Sequence, residues 1–275
     1  MTRLRSRTVE RSGITTAYYD EGEGSVLLLL HGFTGSKLDF HDQLEWFTDS
    51  YRVIVPDNRG HGESTHSEDE AVYKLDTLVD DLRSFVEVLD LQGIHLLGHS
   101  LGGMVVMRYA VAHPGRLASL MLMDTSPARL SMPEEMRQLH KNAVAAGGVL
   151  GLINLMRSAP RYPEVQNGID YLGEDEHWLR VEEKLGQMDK AAYSGLGKEL
   201  GEIEDFMDSL TSISCPTTIL VGQADIPFIK PSRSMAKVIR GSRLKIISGA
   251  AHCPQYENAD QWRRVISAHL AHASA

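Results

Sequence analysis

One short segment constrains this chain more than any other. The apolar run Ile94-His95-Leu96-Leu97 passes into Gly98-His99-Ser100-Leu101-Gly102-Gly103, then into Met104-Val105-Val106-Met107-Arg108-Tyr109-Ala110, which reads as a helix closed by Pro114. A strand, a tight turn and a helix in immediate succession form the unit from which parallel sheets are built. Glycines stand two residues before and two after the central serine, where a β-carbon would collide with the neighbouring strand and helix. Such a turn leaves the Ser100 hydroxyl exposed at a helix N-terminus, where the helix dipole and free N–H groups favour developing negative charge.

The rest of the chain repeats the alternation. Further apolar, β-branched or leucine-rich runs predict strands near Thr15–Tyr19, Val26–Leu30, Arg52–Val55, Ser119–Met123, Thr217–Val221 and Lys245–Ile247. Several lack polar alternation, as expected when helices cover both faces of a strand. Leu75, Leu78, Val79, Leu82, Phe85, Val86 and Leu89 recur at helical spacing and mark one buried face, with Asp80 and Asp81 expected to be solvated on the other. From about residue 128 to 212 no strand pattern is found, and short helices broken by Gly147-Gly148, Pro160 and Pro163 are expected instead. The expected architecture is therefore α/β, a mostly parallel sheet flanked by helices, with residues 1–127 and 212–275 forming the core and 128–211 an inserted all-helical cap. The region 128–212 carries 15 acidic and 9 basic residues, so it supplies most of the net charge of -9. A solvated outer face explains that excess.

Charge and patterning also exclude partners. A net charge of -9 repels phosphate backbones, so no nucleic acid is expected. The longest aliphatic run, Val26 to Leu30, is far shorter than the ~20 residues of a membrane span, and Met1-Thr2-Arg3-Leu4-Arg5 leads into no apolar signal stretch. A cytoplasmic protein without a membrane partner is expected. Only Cys215 and Cys253 are present, too few for a disulfide framework, and their predicted positions at opposite ends of the sheet forbid a bond between them.

Serine is a poor nucleophile at neutral pH, so Ser100 needs an imidazole to take its proton, and the imidazole needs a carboxylate to orient it and stabilise its charge. Of 12 histidines, His252 has the required place, in a loop after the last predicted strand and before the C-terminal helix. Asp225 follows Val221-Gly222-Gln223-Ala224 at the end of the preceding strand. All three residues thus fall at the C-terminal edge of the sheet, where α/β proteins place their sites. Backbone N–H groups of Phe33 and Leu101 are the candidate oxyanion donors. Asp124, after Met121-Leu122-Met123, is a rival for the acid. His31, His61 and His99 lie within loop motifs and are expected to bond to loop backbone. Met132, Met136 and Trp178 are candidate substrate-binding residues of the cap. There is no Cys/His cluster and no G-x-G-x-x-G turn after the first strand, so neither a metal nor a cofactor is expected.

These segments resemble the α/β-hydrolase family over nearly the whole chain outside the cap. His31-Gly32-Phe33 resembles its oxyanion loop, Asp57-Asn58-Arg59-Gly60-His61-Gly62-Glu63-Ser64 its D-x-R-G-H-G-x-S turn, and Gly222-Gln223-Ala224-Asp225 and Ala251-His252 its acid and base loops. The order Ser, Asp, His is also the family's. The resemblance implies a cofactor-independent serine hydrolase acting on a small, largely apolar ester, lactone or related acyl substrate. It leaves open carbon–carbon bond hydrolases, although these commonly carry Trp where Cys253 follows the base. Perhydrolases, cofactor-free haloperoxidases and menaquinone-pathway lyases share the same triad. A small-molecule binder with little turnover is the alternative of another class.

Overall fold

The computed structural model describes residues 4–129, 134–158 and 163–273. Eight strands form one sheet: β1 (Arg7–Arg11), β2 (Ile14–Glu21), β3 (Ser25–Leu30), β4 (Tyr51–Pro56), β5 (Ile94–His99), β6 (Leu117–Met123), β7 (Thr217–Gly222) and β8 (Arg243–Ile247). Their spatial order is β1-β2-β4-β3-β5-β6-β7-β8. The pairs β1–β2 and β2–β4 are antiparallel, and every later pair is parallel. Strand β1 is the one strand the sequence pattern does not predict. It is a charged, exposed edge, Arg-Thr-Val-Glu-Arg, joined to β2 by Ser12-Gly13, both at positive φ. Such a strand buries too little to leave an apolar signature.

The helices are α1 (Leu44–Phe47), α2 (Leu75–Val88), α3 (Leu101–Ala112), α4 (Glu134–Ser158), α5 (Pro163–Leu172), α6 (Glu174–Gly186), α7 (Lys190–Glu202), α8 (Ile226–Val238), α9 (Pro254–Glu257) and α10 (Ala259–Ala273). Side chains of a strand point alternately to opposite faces, so a strand buried on both sides feeds two cores. Leu28, Leu30, Leu96, Leu120 and Leu122 pack with Leu78, Phe85, Val105, Tyr109 and Met235 from α2, α3 and α8. Leu27, Leu29, Leu97, Met121 and Met123 pack on the other side with Phe47, Trp262, Ile266 and Leu270. On α2, Asp81 is not solvated as its position suggested. It takes the Arg59 guanidinium in a two-pronged ion pair at 2.6 and 2.8 Å, because the turn after β4 carries Arg59 back over the helix.

Helices α4 to α7 lie between residues 134 and 202 and fit a cap. The helix path of α4 is interrupted at Gly147-Gly148, the latter at φ 60°. Helix α7 seats by apolar contact, with Ala192 and Leu196 joining the core of the sheet. Helix α6 seats by charge: Arg180 meets Asp42 at 2.5 Å and Lys184 meets Asp39 at 2.6 Å. Among the described residues, no helix is long and apolar enough to cross a membrane. Both cysteines are unpaired.

Candidate active site

The strand order reverses between β4 and β5 on either side of β3, and the loops that leave β3 and β5 at this point carry Phe33 and Ser100. Ser100 stands at φ 54°, a conformation costing a non-glycine residue roughly 1–3 kcal/mol, so its surroundings must enforce it. They do so by close approach. A β-carbon at Gly98 would run into the Gly102 carbonyl, and one at Gly102 would lie 2.5 Å from the carbonyl oxygens of Leu30 and His31. The Ser100 N–H donates to the Met123 carbonyl at 2.9 Å, and the Thr125 hydroxyl donates to the Ser100 carbonyl at 2.7 Å. The serine is thereby clamped from both sides.

Asp225 and His252 arrive from the loops after β7 and β8. The imidazole Nδ1 and the Asp225 Oδ2 are 2.8 Å apart, with the acid buried and the base side chain 29% exposed. With the Nδ1 proton held by the carboxylate, Nε2 is left with a lone pair to accept a proton. Phe228 stacks on the imidazole at 4.8 Å. His99, the residue before Ser100, donates from Nε2 to the His252 carbonyl at 2.7 Å, which ties the serine turn to the base loop. Burial first, and then the neighbouring His252, depress His99 to about 3, so its ring is neutral at physiological pH.

A carboxylate that the sequence reading did not single out holds the base loop from behind. Glu257 accepts the N–H groups of Ala251 and Cys253, the two residues flanking His252. The α5 side chain Asn167 donates to the Gly249 carbonyl at 3.1 Å, so the cap also touches this loop. Burial pushes Glu257 up to about 7, against the opposing effect of those N–H bonds. Its position in the first turn of α9 was a usable signal, since acidic residues favour helix starts.

The loop after β3 completes the arrangement. A β-carbon at Gly32 would lie 3.1 Å from the Ser100 Cβ, so this loop packs directly against the serine. His31 donates from Nδ1 to the Gly32 carbonyl at 2.8 Å and accepts the Asn58 N–H at Nε2. Burial depresses it to about 4, which keeps it neutral and able to serve as that acceptor. His61 bonds to the carbonyls of Arg59 and Phe33, and Asp57 receives Lys37. Among the described residues, the N–H groups of Phe33 and Leu101 have no acceptor within the protein. The Phe33 ring lies under Tyr193 of α7 at 5.1 Å.

Of the cap candidates, Met132 lies outside the described residues, and Met136 is half-buried on α4. Trp178 is buried among Val165 and Ile169 within the cap, under the Arg157 guanidinium. Asp124, the rival acid, lies beside the Asp225–His252 pair, its own carboxyl fully buried. Asp124, Asp225 and His252 are also the one group among the described residues whose donors could hold a cation.

The pattern that describes the alpha/beta hydrolase fold matches residues 25–259, from β3 to the start of α10. The chain belongs to that family. A non-heme haloperoxidase of Rhodococcus erythropolis is 30% identical over 264 residues, covering 90% of this chain and 93% of the relative. An esterase of Thermogutta terrifontis is 29% identical with a TM-score of 0.75, covering 98% of this chain and all of its own. An enol-lactonase of Burkholderia xenovorans LB400, at 20% identity and a TM-score of 0.84, covers 96% of this chain and all of its own, and shares the fold.

Proposed function

We propose that this alpha/beta hydrolase is a serine hydrolase cleaving small, largely apolar carboxylic esters or lactones through an acyl-enzyme. The observation that carries the reading is the 2.8 Å Asp225–His252 bond, which leaves the imidazole Nε2 as a base at the sheet edge that bears the strained Ser100. His252 takes the Ser100 proton as the hydroxyl oxygen attacks the carbonyl carbon, and Asp225 stabilises the imidazolium. The Phe33 and Leu101 N–H groups receive the oxyanion. His252 then passes the proton to the leaving alkoxide, which departs as an alcohol or, from a lactone, stays tethered to the acyl group. Water, deprotonated by the same imidazole, releases the acid. No step calls for a metal. The preference for apolar acyl groups follows from the Phe33 and Tyr193 rings stacked beside the oxyanion loop.

The test is hydrolysis of p-nitrophenyl acetate and butyrate and a lactone panel, with chelator present, by the wild type and Ser100→Ala. Equal rates above background would overturn the reading in favour of a binding protein. A second reading is favoured by the relative named a haloperoxidase: hydrogen peroxide replaces water in deacylation and releases a peracid. Peracid formed from acetate and peroxide, and lost in Ser100→Ala, would support it.

A further inference from the structure

The described carboxyls include one that the proposed reaction does not use and that solvent does not reach. Asp124 follows β6 at φ 44° and is fully buried. Its Oδ1 accepts the Gly222 N–H at 2.8 Å. Its Oδ2, equally buried, receives no N–H or O–H from the described residues. Single donor atoms of Asp124, Asp225 and His252 all lie within 4.8 Å of one another.

Two carboxylates this close, facing one imidazole in a dry interior, do not both ionise. Asp225 holds the His252 Nδ1 proton and so keeps the negative charge. Among the described residues Asp124 has one N–H partner and no cation. Burial first, then the charge of Asp225, lift it well above the usual carboxylate range, and the more distant Glu257 adds to this. Cys253 is a further titratable neighbour, itself pushed up by burial.

We propose that Asp124 is a positioning residue that remains a neutral carboxylic acid and donates its Oδ2–H to the Asp225 carboxylate. The proposal rests on the serine-hydrolase reading for its activity arm. The donated hydrogen bond does two things. It occupies one face of Asp225, so that the other oxygen stays aimed at His252 Nδ1, and it leaves a single negative charge behind the imidazole. The proton stays on Asp124 throughout the cycle while the Ser100 proton travels to His252 and on to the leaving group. A second acid thus acts on the reaction only through the first.

Two isosteric changes separate this role from mere packing. In Asp124→Asn the amide oxygen still accepts from Gly222 and the N–H₂ still donates to Asp225, so kcat holds within about threefold of wild type. In Asp124→Leu the donor is lost, and kcat falls at least about tenfold with KM little changed, the scale of one hydrogen bond. Infrared difference spectra of wild type minus Asp124→Asn provide a readout without turnover. Recorded above the Glu257 value of about 7, they retain the carbonyl stretch of a protonated carboxyl. Absence of that band, or an Asn variant as impaired as the Leu variant, overturns the proposal. If Asp124→Leu does not fold, the infrared band and the Asn variant still decide. Ser100→Ala and Asp225→Asn run in parallel: full activity in both would refute the serine-hydrolase reading while leaving the infrared result to judge Asp124.

Discussion

Replacing Lys184 by Met tests how the cap is held over the site. Asp39 is 4% exposed, and among the described residues its one cation at ion-pair distance is the Lys184 ammonium at 2.6 Å, with the Tyr256 hydroxyl further off at 3.4 Å. Removing one member of a buried pair leaves an uncompensated charge, at a cost of about 3–5 kcal/mol. For a chain of this length that corresponds to roughly 10 °C in melting temperature. The dependence on pH has a fixed sign. Burial raises the Asp39 pKa, but the charge and hydrogen bond of Lys184 outweigh it and hold the group below its ordinary value of 3.8. The wild-type contribution is therefore complete above 3.8 and lost as pH falls through the lowered value. In Lys184→Met burial remains the largest effect, opposed now by His31 and His99 alone, so the pKa rises and the carboxyl takes a proton at higher pH than in the wild type. The gap between the two proteins is widest at neutral pH and narrows toward acid. Melting curves across that range check it, and adding Asp39→Asn to Lys184→Met should recover most of the loss. A neutral-pH shift of only a degree or two, or a gap that widens on acidification, would refute the argument.

Burial comes first among the causes that depress His31 and His269 to about 4 and His99 to about 3, below their ordinary 6.5. The unfolded chain binds these protons before the native state does, so stability is full above 6.5 and is lost as pH falls toward the native values. Each group contributes about 1.4 kcal/mol per pH unit in that window, and a flat unfolding free energy in denaturant titrations would contradict it. At the serine turn, Gly98→Ala drives a methyl into the Gly102 carbonyl. Loss of at least about 3 kcal/mol of stability together with turnover is expected, and a folded, active variant would show that the turn is looser than described.

The parts of the site that the chain displays openly are those set by local geometry. Ser100 could be found because its glycines must sit at fixed offsets in the turn, and Asp225 and His252 because each follows a predicted strand. What stayed hidden depends on neighbours distant in sequence. The environment of Asp124 is made by Gly222, 98 residues away, and its charge state by Asp225 beside it. Asp81 looked solvated because nothing near it in sequence reveals that Arg59 folds back onto α2. Trp178 is a candidate for the pocket or for the cap's own core, since a bulky residue in a small cap reads the same way whether it faces substrate or its own helices. Strand β1 was missed for the opposite reason, its edge being too polar to carry a pattern.

The loop bearing His252 springs from β8, which is both the outermost strand and the least buried of the parallel set. Opening such an edge exposes little apolar surface, so it takes less free energy than melting β3, β5 and β6 at the centre. Fraying of β8 would carry His252 away while leaving the serine turn intact. On the proposed mechanism, inactivation by mild heat or denaturant is then a local event that precedes collapse of the sheet, and a chain that has stopped turning over can still be almost wholly native.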